Sequence, residues 1–270
     1  MSFAVAHTFV GEKSAPKLAF VLHGVLGAGH NFRSFIRGLH AERGDYGFVL
    51  VDQRLHGAST EAPPPHTLAA CADDLARLSA LLERAPSTVI GHSFGGKVAL
   101  EYARRHPNGL EQVWVLDAQP GAIAPEPDHE VLTVLEALRS VPVPAPSRDA
   151  AVTALTERGI ARPTAAWLAT SLKRTPNGYV FNLGLDGMDE LLSDYFQTDL
   201  WPFLETPRDA PDIFLVVAEQ GDLFSPELRR RAVRLPPEAR VKAHLLEDSG
   251  HWVHVDNPDG LRALISRELA

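Results

Sequence analysis

Two glycines, Gly91 and Gly95, frame a single serine in the stretch GHSFG. The spacing is G-x-S-x-G, and its flanks give it meaning. Before it, STVIG is a short apolar run with β-branched residues; after it, FGGKVALEYARR has helical periodicity. A serine on so tight a strand-to-helix corner projects its hydroxyl clear of the backbone. The glycines leave room for close backbone approach. Ser93 is therefore the candidate nucleophile. The amide of Phe94, at the helix start, is placed to hold negative charge developing on a substrate oxygen.

A serine hydroxyl needs a base to become a useful nucleophile. Of the twelve histidines, His251 in EDSGHWVHVDNPDG is the candidate. It follows the last predicted strand and precedes the last predicted helix, which puts it on a loop at the same sheet edge as Ser93. His254, three residues on, is expected to point elsewhere, and His92 sits beside the serine with its side chain turned away. A second amide donor is expected from Val25, in HGVLG at 23–27, where Gly24 permits a sharp turn. His23 is expected to shape that loop by local hydrogen bonds.

These loops need a scaffold that delivers them to one edge. Apolar runs at Leu18–Leu22, Gly47–Val51, Ser87–Gly91, Gln112–Asp117, Asp212–Ala218 and Arg240–Leu246 read as strands covered on both faces. Amphipathic segments at Asn31–Glu42, Thr67–Ala85, Phe94–Arg105, Pro226–Arg234 and Asp259–Leu269 alternate with them. Such alternation predicts an α/β fold, a mostly parallel central sheet flanked by helices. Phe3–Val10 is expected as an antiparallel edge strand. From Pro120 to Pro211 the rhythm stops. Proline-rich linkers and helical patterns near His129–Ser140, Arg148–Arg158 and Thr164–Lys173 predict a helical cap, inserted before the last two strands. The expected organisation is a core of 1–119 and 212–270 with a cap of 120–211. The cap leaves a strand end, where open α/β sheets place their sites, so it is expected to roof a cleft.

Taken together, HGVLG, GHSFGG and SGHWVH resemble the α/β-hydrolase superfamily over nearly the whole chain. The likeness is greatest to the small esterase branch that includes bacterial ester and acyl-thioester hydrolases and abhydrolase-domain-containing protein eleven. HGVLGAGHNFRS, VDQRLHGAS and GYVFNLGLDGM (178–188) carry that likeness. The resemblance implies a Ser-His-acid triad and leaves two acids open. Asp222, in EQGDLFSP, occupies the position many superfamily members use; Asp117, ending QVWVLD, occupies the one attributed to the close branch. Asp222 is the preferred reading. Asp52 is expected to shape a loop, and Asp248 lies too near His251 in sequence to orient it. The implied reaction is hydrolysis of short to medium acyl esters or thioesters through an acyl-enzyme, with no metal or cofactor. Trp167, Phe181 and Trp252 are expected to bind substrate, with Leu168 and the Phe94 side chain as further candidates for the wall.

Composition narrows the alternatives. The chain has 270 residues and a formal net charge of -8 with no basic run, which argues against nucleic-acid partners. Its single cysteine, Cys71, forms no internal disulfide and sits at helical spacing among leucines, as a packing residue. No basic-then-apolar leader opens the sequence and no apolar run approaches membrane-spanning length, so a cytoplasmic protein without membrane insertion is expected. Two other functions fit the same residues: a carbon–carbon bond hydrolase or lyase, and a ligand receptor that keeps a hydrolase shell.

Overall fold

The computed structural model describes residues 3–126 and 129–270. Before the cap the elements run β1 (His7–Val10), β2 (Lys17–Leu22), α1 (Arg33–Glu42), β3 (Tyr46–Val51), α2 (Leu68–Leu81), β4 (Thr88–His92), α3 (Phe94–Arg105) and β5 (Gln112–Leu116). The cap holds α4 (Glu130–Ser140), α5 (Arg148–Thr156), α6 (Arg162–Leu168), the hairpin β6 (Leu172–Thr175) and β7 (Gly178–Phe181), α7 (Met188–Gln197) and α8 (Trp201–Glu205). The chain then completes its core with β8 (Asp212–Ala218), α9 (Pro226–Val233), β9 (Val241–Leu246), α10 (Val253–Asp256) and α11 (Pro258–Glu268).

Seven strands form the central sheet in the order β1-β3-β2-β4-β5-β8-β9. All neighbours are parallel except the β1–β3 edge pair. The fold is thus the mostly parallel α/β sheet that the continuous apolar runs imply. Alternate residues of each strand feed two cores. Leu18, Phe20 and Leu22 of β2 join α2, α3 and the cap helices on one face. Ala19 and Val21 join α1 and α11 on the other.

The insertion between β5 and β8 is mainly helical and also contains the β6–β7 hairpin, which the sequence reading did not anticipate. The hairpin's strands have four residues each, too short for a clear period. The only local signal is the turn-forming PNG at 176–178.

Cap and core are fastened at a buried charge. Lys97, on the second turn of α3, is fully buried. Its Nζ donates to the carbonyls of Gly121 (2.6 Å), Tyr195 (2.9 Å) and Thr198 (3.1 Å) and lies 4.5 Å from the centre of the Tyr195 ring. Burial lowers the ammonium to about 8, against the opposing pull of Asp199 and Asp194. The three carbonyls come from the start and end of the insertion, so one side chain on the helix behind Ser93 holds both. Replacing Lys97 with methionine keeps the stem and strands three acceptors. The expected loss is about 1–3 kcal/mol of folding stability, read from urea denaturation.

Candidate active site

The site is assembled at the carboxyl ends of five strands, and the ladder register explains how. His92 pairs with Leu116 on the neighbouring strand, and Leu116 with Val216. The ladder continues one residue further on each side: the Ser93 amide donates to Leu116 (3.0 Å) and the Asp117 amide to Val216 (2.8 Å). Ser93 and Asp117 therefore leave the sheet at the same level on adjacent strands. Beyond β8 and β9 the Gln220 amide donates to Ser249 (2.9 Å). That bond laces the Asp222 loop to the segment that carries His251.

Ser93 has φ +52° and ψ -120°, a region non-glycine residues rarely occupy. Such strain costs on the order of 1–3 kcal/mol and persists only where the surroundings enforce it. Here they do. A Cβ on Gly91 would collide with the carbonyl of Gly95, and one on Gly95 would lie 2.6 Å from the carbonyl oxygen of His23. The corner can pack against the loop after β2 only with glycine at both positions.

The imidazole of His251 donates from Nδ1 to Oδ2 of Asp117 at 2.8 Å. Asp117 is fully buried, and its other carboxylate oxygen accepts from the Ala218 amide (3.1 Å). The structure thus brings Asp117 to His251, where Asp222 was the preferred reading. The Asp222 side chain is exposed, makes no hydrogen bond to His251 and lines the mouth of the cavity. The physical reason is position. Asp117 ends a central strand beneath the His251 loop, whereas Asp222 lies four residues past the end of β8, with Gly221 between it and the Asp117 carboxylate. A Cβ on Gly221 would stand 3.1 Å from Asp117 Oδ2.

Ser93 and His251 line the same cavity, of about 320 Å³. No hydrogen bond links their side chains, and Nδ1 being engaged with Asp117, Nε2 is the ring nitrogen left for the hydroxyl. Val25 also lines this space. The amides of Val25 and Phe94 make no hydrogen bond to any described residue, as expected for Phe94 in the first turn of α3.

The Val25 loop is held by two neutral histidines. His23 donates from Nδ1 to Gly24 (2.8 Å) and accepts from the Gln53 amide at Nε2 (3.1 Å). His56 donates to Arg54 (2.8 Å) and accepts from the Leu26 amide (3.0 Å), while Leu26 itself sits at φ +62°. Asp52 accepts from the amides of Gly29 and Ala58, a loop brace. On the far side His92 donates from Nε2 to the carbonyl of His251 (2.7 Å), and His254 stacks on Phe32 with ring centres 4.0 Å apart.

Of the expected substrate contacts, Trp167 and Trp252 line the cavity and meet edge to face, 4.7 Å between centres. Phe181 does not line it, which corrects that expectation. It lies on β7, paired with Leu172 within the hairpin, and packs as part of the cap. Leu168 is likewise buried in the cap, and the Phe94 ring is buried against Tyr195 and His56 behind the wall. Sequence reasoning missed Ile123, Val131, Val134, Leu192, Tyr195 and Phe196, which supply much of the apolar lining. Apart from Ile123, which lies in the loop after β5, their only signal was the amphipathic pattern of α4 and α7, which marks a buried face without saying what it faces.

The fold is shared with known proteins. A sequence profile described as "Alpha/beta hydrolase family" matches residues 19–264, and the chain belongs to that family. Among relatives, the mouse protein named "sn-1-specific diacylglycerol lipase ABHD11" is 26% identical over 265 residues, 96% of this chain and 83% of the relative. "Esterase YbfF" of Escherichia coli K12 is 25% identical over 252 residues, 92% of this chain and 91% of the relative. A solved "Marine microorganism esterase" superposes with a TM-score of 0.82 at 22% identity, covering 98% of this chain and 99% of the other, and shares the fold. The chain is a hydrolase of the α/β fold with esterase and lipase relatives. No helix among the described residues is long and apolar enough to cross a membrane.

Burial opposes protonation of the histidines around the site. It lowers His23 to about 4, His56 to about 3 and His254 to about 4, and holds His92 well below its ordinary 6.5. In the unfolded chain the same groups titrate near 6.5. Below that value the unfolded state binds more protons than the folded one, so stability falls with pH. These groups leave stability intact above about pH 6.5 and reduce it progressively as pH drops toward 4. Urea midpoints at pH 7.5 and pH 5 are expected to differ by the equivalent of several kcal/mol, with the lower value at pH 5.

Proposed function

We propose that the chain is a serine esterase that cleaves carboxylic esters, and thioesters of similar size, with short to medium acyl groups. The observation that carries the reading is the 2.8 Å bond between His251 and buried Asp117, at the wall of a cavity shared with the strained Ser93. His251 takes the proton of the Ser93 hydroxyl as it attacks the ester carbonyl. Asp117 keeps the proton on Nδ1, so that Nε2 faces the reaction, and stabilises the imidazolium that forms. Amides of Val25 and Phe94 hold the oxyanion. His251 then protonates the departing alcohol or thiol. A water activated by the same imidazole clears the acyl-enzyme.

Substrate size follows from the cavity. Its volume of about 320 Å³ stands at the lower end of the range for small-molecule sites, roughly 300–1,000 Å³. The walls are mostly aliphatic and aromatic, which suits an acyl chain. The printed names of the mouse and Escherichia coli relatives, a lipase and an esterase, lie within the same reaction class.

Turnover of 4-nitrophenyl butyrate tests the roles. Ser93→Ala is expected to lower kcat by roughly 10⁴ to 10⁶ and to abolish labelling by a fluorophosphonate probe. Asp117→Asn in folded protein is expected to cost about 10³ to 10⁴, and Asp222→Asn far less. Wild-type turnover by Ser93→Ala would refute the esterase reading. A loss at Asp222 larger than at Asp117 would refute the assignment of the acid.

A further inference from the structure

Asp222 is left without a catalytic task, yet it remains on the cavity wall. Glu130, the first residue of α4, stands on the same wall. Both residues are exposed, and neither forms an ion pair among the described residues. No lysine or arginine lines this cavity among those residues. Arg229, on the helix after the Asp222 loop, is not part of the lining; its guanidinium is bonded to the carbonyls of Ala218, Glu219, Gly221 and Phe224. The mouth therefore carries two carboxylates with no lysine or arginine in the lining, which also holds the buried His92 and the half-buried His129 and His251.

Resting on the esterase reading above, we propose that Asp222 and Glu130 form an anionic rim that selects substrates by charge, admitting neutral and cationic esters and turning away anionic ones. A compact space of the observed volume is about 8 Å across, within one screening length at physiological salt. A substrate charge inside it thus feels both carboxylates. The apolar walls are of low dielectric constant and focus the field within the cleft. The chain's net charge of -8 acts in the same direction at longer range. Apolar walls alone exclude both signs of charge; the rim makes the exclusion one-sided. The expected preferred class is an ester whose leaving group is uncharged or carries an ammonium, with sulfonates, phosphates and free carboxylates disfavoured.

The test uses three butyrate esters that share one acyl group: 3,3-dimethylbutyl butyrate (neutral), butyrylcholine (cationic) and 2-sulfoethyl butyrate (anionic). Rates are followed by acid release at pH 7.5, with the neutral ester as internal reference. In wild type at low salt, kcat/KM for the cationic ester is expected to exceed that for the anionic one at least tenfold, on the order of two carboxylates acting at this range. The ratio should shrink as NaCl rises from 20 to 500 mM. In D222N/E130Q it should fall at least tenfold relative to wild type in the low-salt buffer. Both changes are at exposed positions, and circular dichroism checks the fold; the salt titration needs no variant. A wild-type ratio near one, or a ratio that D222N/E130Q leaves intact, overturns the rim. Failure to hydrolyse even the neutral ester overturns the esterase reading instead, so the two failures are distinct.

Discussion

The hydrogen bond from His251 to Asp117 joins residues 134 positions apart. It exists because three parallel strands end at matched levels. Asp117 continues the β5 ladder by donating to Val216, which seats its carboxylate at the head of β8. The loop after β9 is then drawn over it by the Gln220–Ser249 bond. A slip of one residue between β5 and β8 would turn Asp117 to the other face of the sheet and leave the imidazole without a partner. The apolar strand faces, fully buried in β3, β4 and β5, hold that register. The His251–Asp117 contact thus rests on hydrophobic pairing well away from it.

The backbone around this bond is strained where the side chains must be exact in position. Leu26, Ser93 and Asp117 all have positive φ. They lie beside the Val25 amide, at the serine and at the carboxylate that meets His251. Each occupies the first few residues after a buried strand. The sheet supplies the packing that tolerates such conformations, and loops without that anchor would relax. Around the strained points the polar partners are neutral. His23, His56 and His92 act as hydrogen-bonding struts whose tautomers are set by a carbonyl on one side or an amide on the other. Neutral struts let the carboxylate of Asp117 be the buried charge that addresses His251.

The strands that position the site were readable because a parallel sheet covered on both faces leaves long apolar runs. Asp212–Ala218 matches β8 residue for residue, and Phe94–Arg105 matches α3. The elbow was readable because a glycine-framed serine at a strand-to-helix boundary has few other physical explanations. The acid was not. Asp117 and Asp222 both follow strands at the correct sheet edge, and only the path of the His251 loop distinguishes them. That path depends on contacts between β8 and β9 that no local pattern encodes. Phe181 failed for a related reason: aromatic character marks burial, and the hairpin turns this ring into the cap's own packing rather than toward the cavity. Lys97 was hidden by its type, since a lysine beside two glycines on a helix reads as a solvated residue until the cap is folded onto it.

The fastening of cap to core bears on how the cavity wall is held. Lys97 lies four residues beyond Ser93, one turn along α3. Its ammonium grips the carbonyls of Tyr195 and Thr198 at the end of α7. The Tyr195 ring packs 5.7 Å from the Phe94 ring and lines the cavity. One helix therefore fixes the serine, the Phe94 amide and, through Lys97, the Tyr195 part of the cavity wall. A buried ammonium is expensive to desolvate, and its three carbonyls offset that cost only while the cap is in place. Lifting the cap would exchange those three bonds for hydration of the ammonium and would open the apolar lining to water, and the second is the uncompensated penalty. The cavity wall at Tyr195 is thus held by the same helix that follows Ser93, through the one Lys97 side chain.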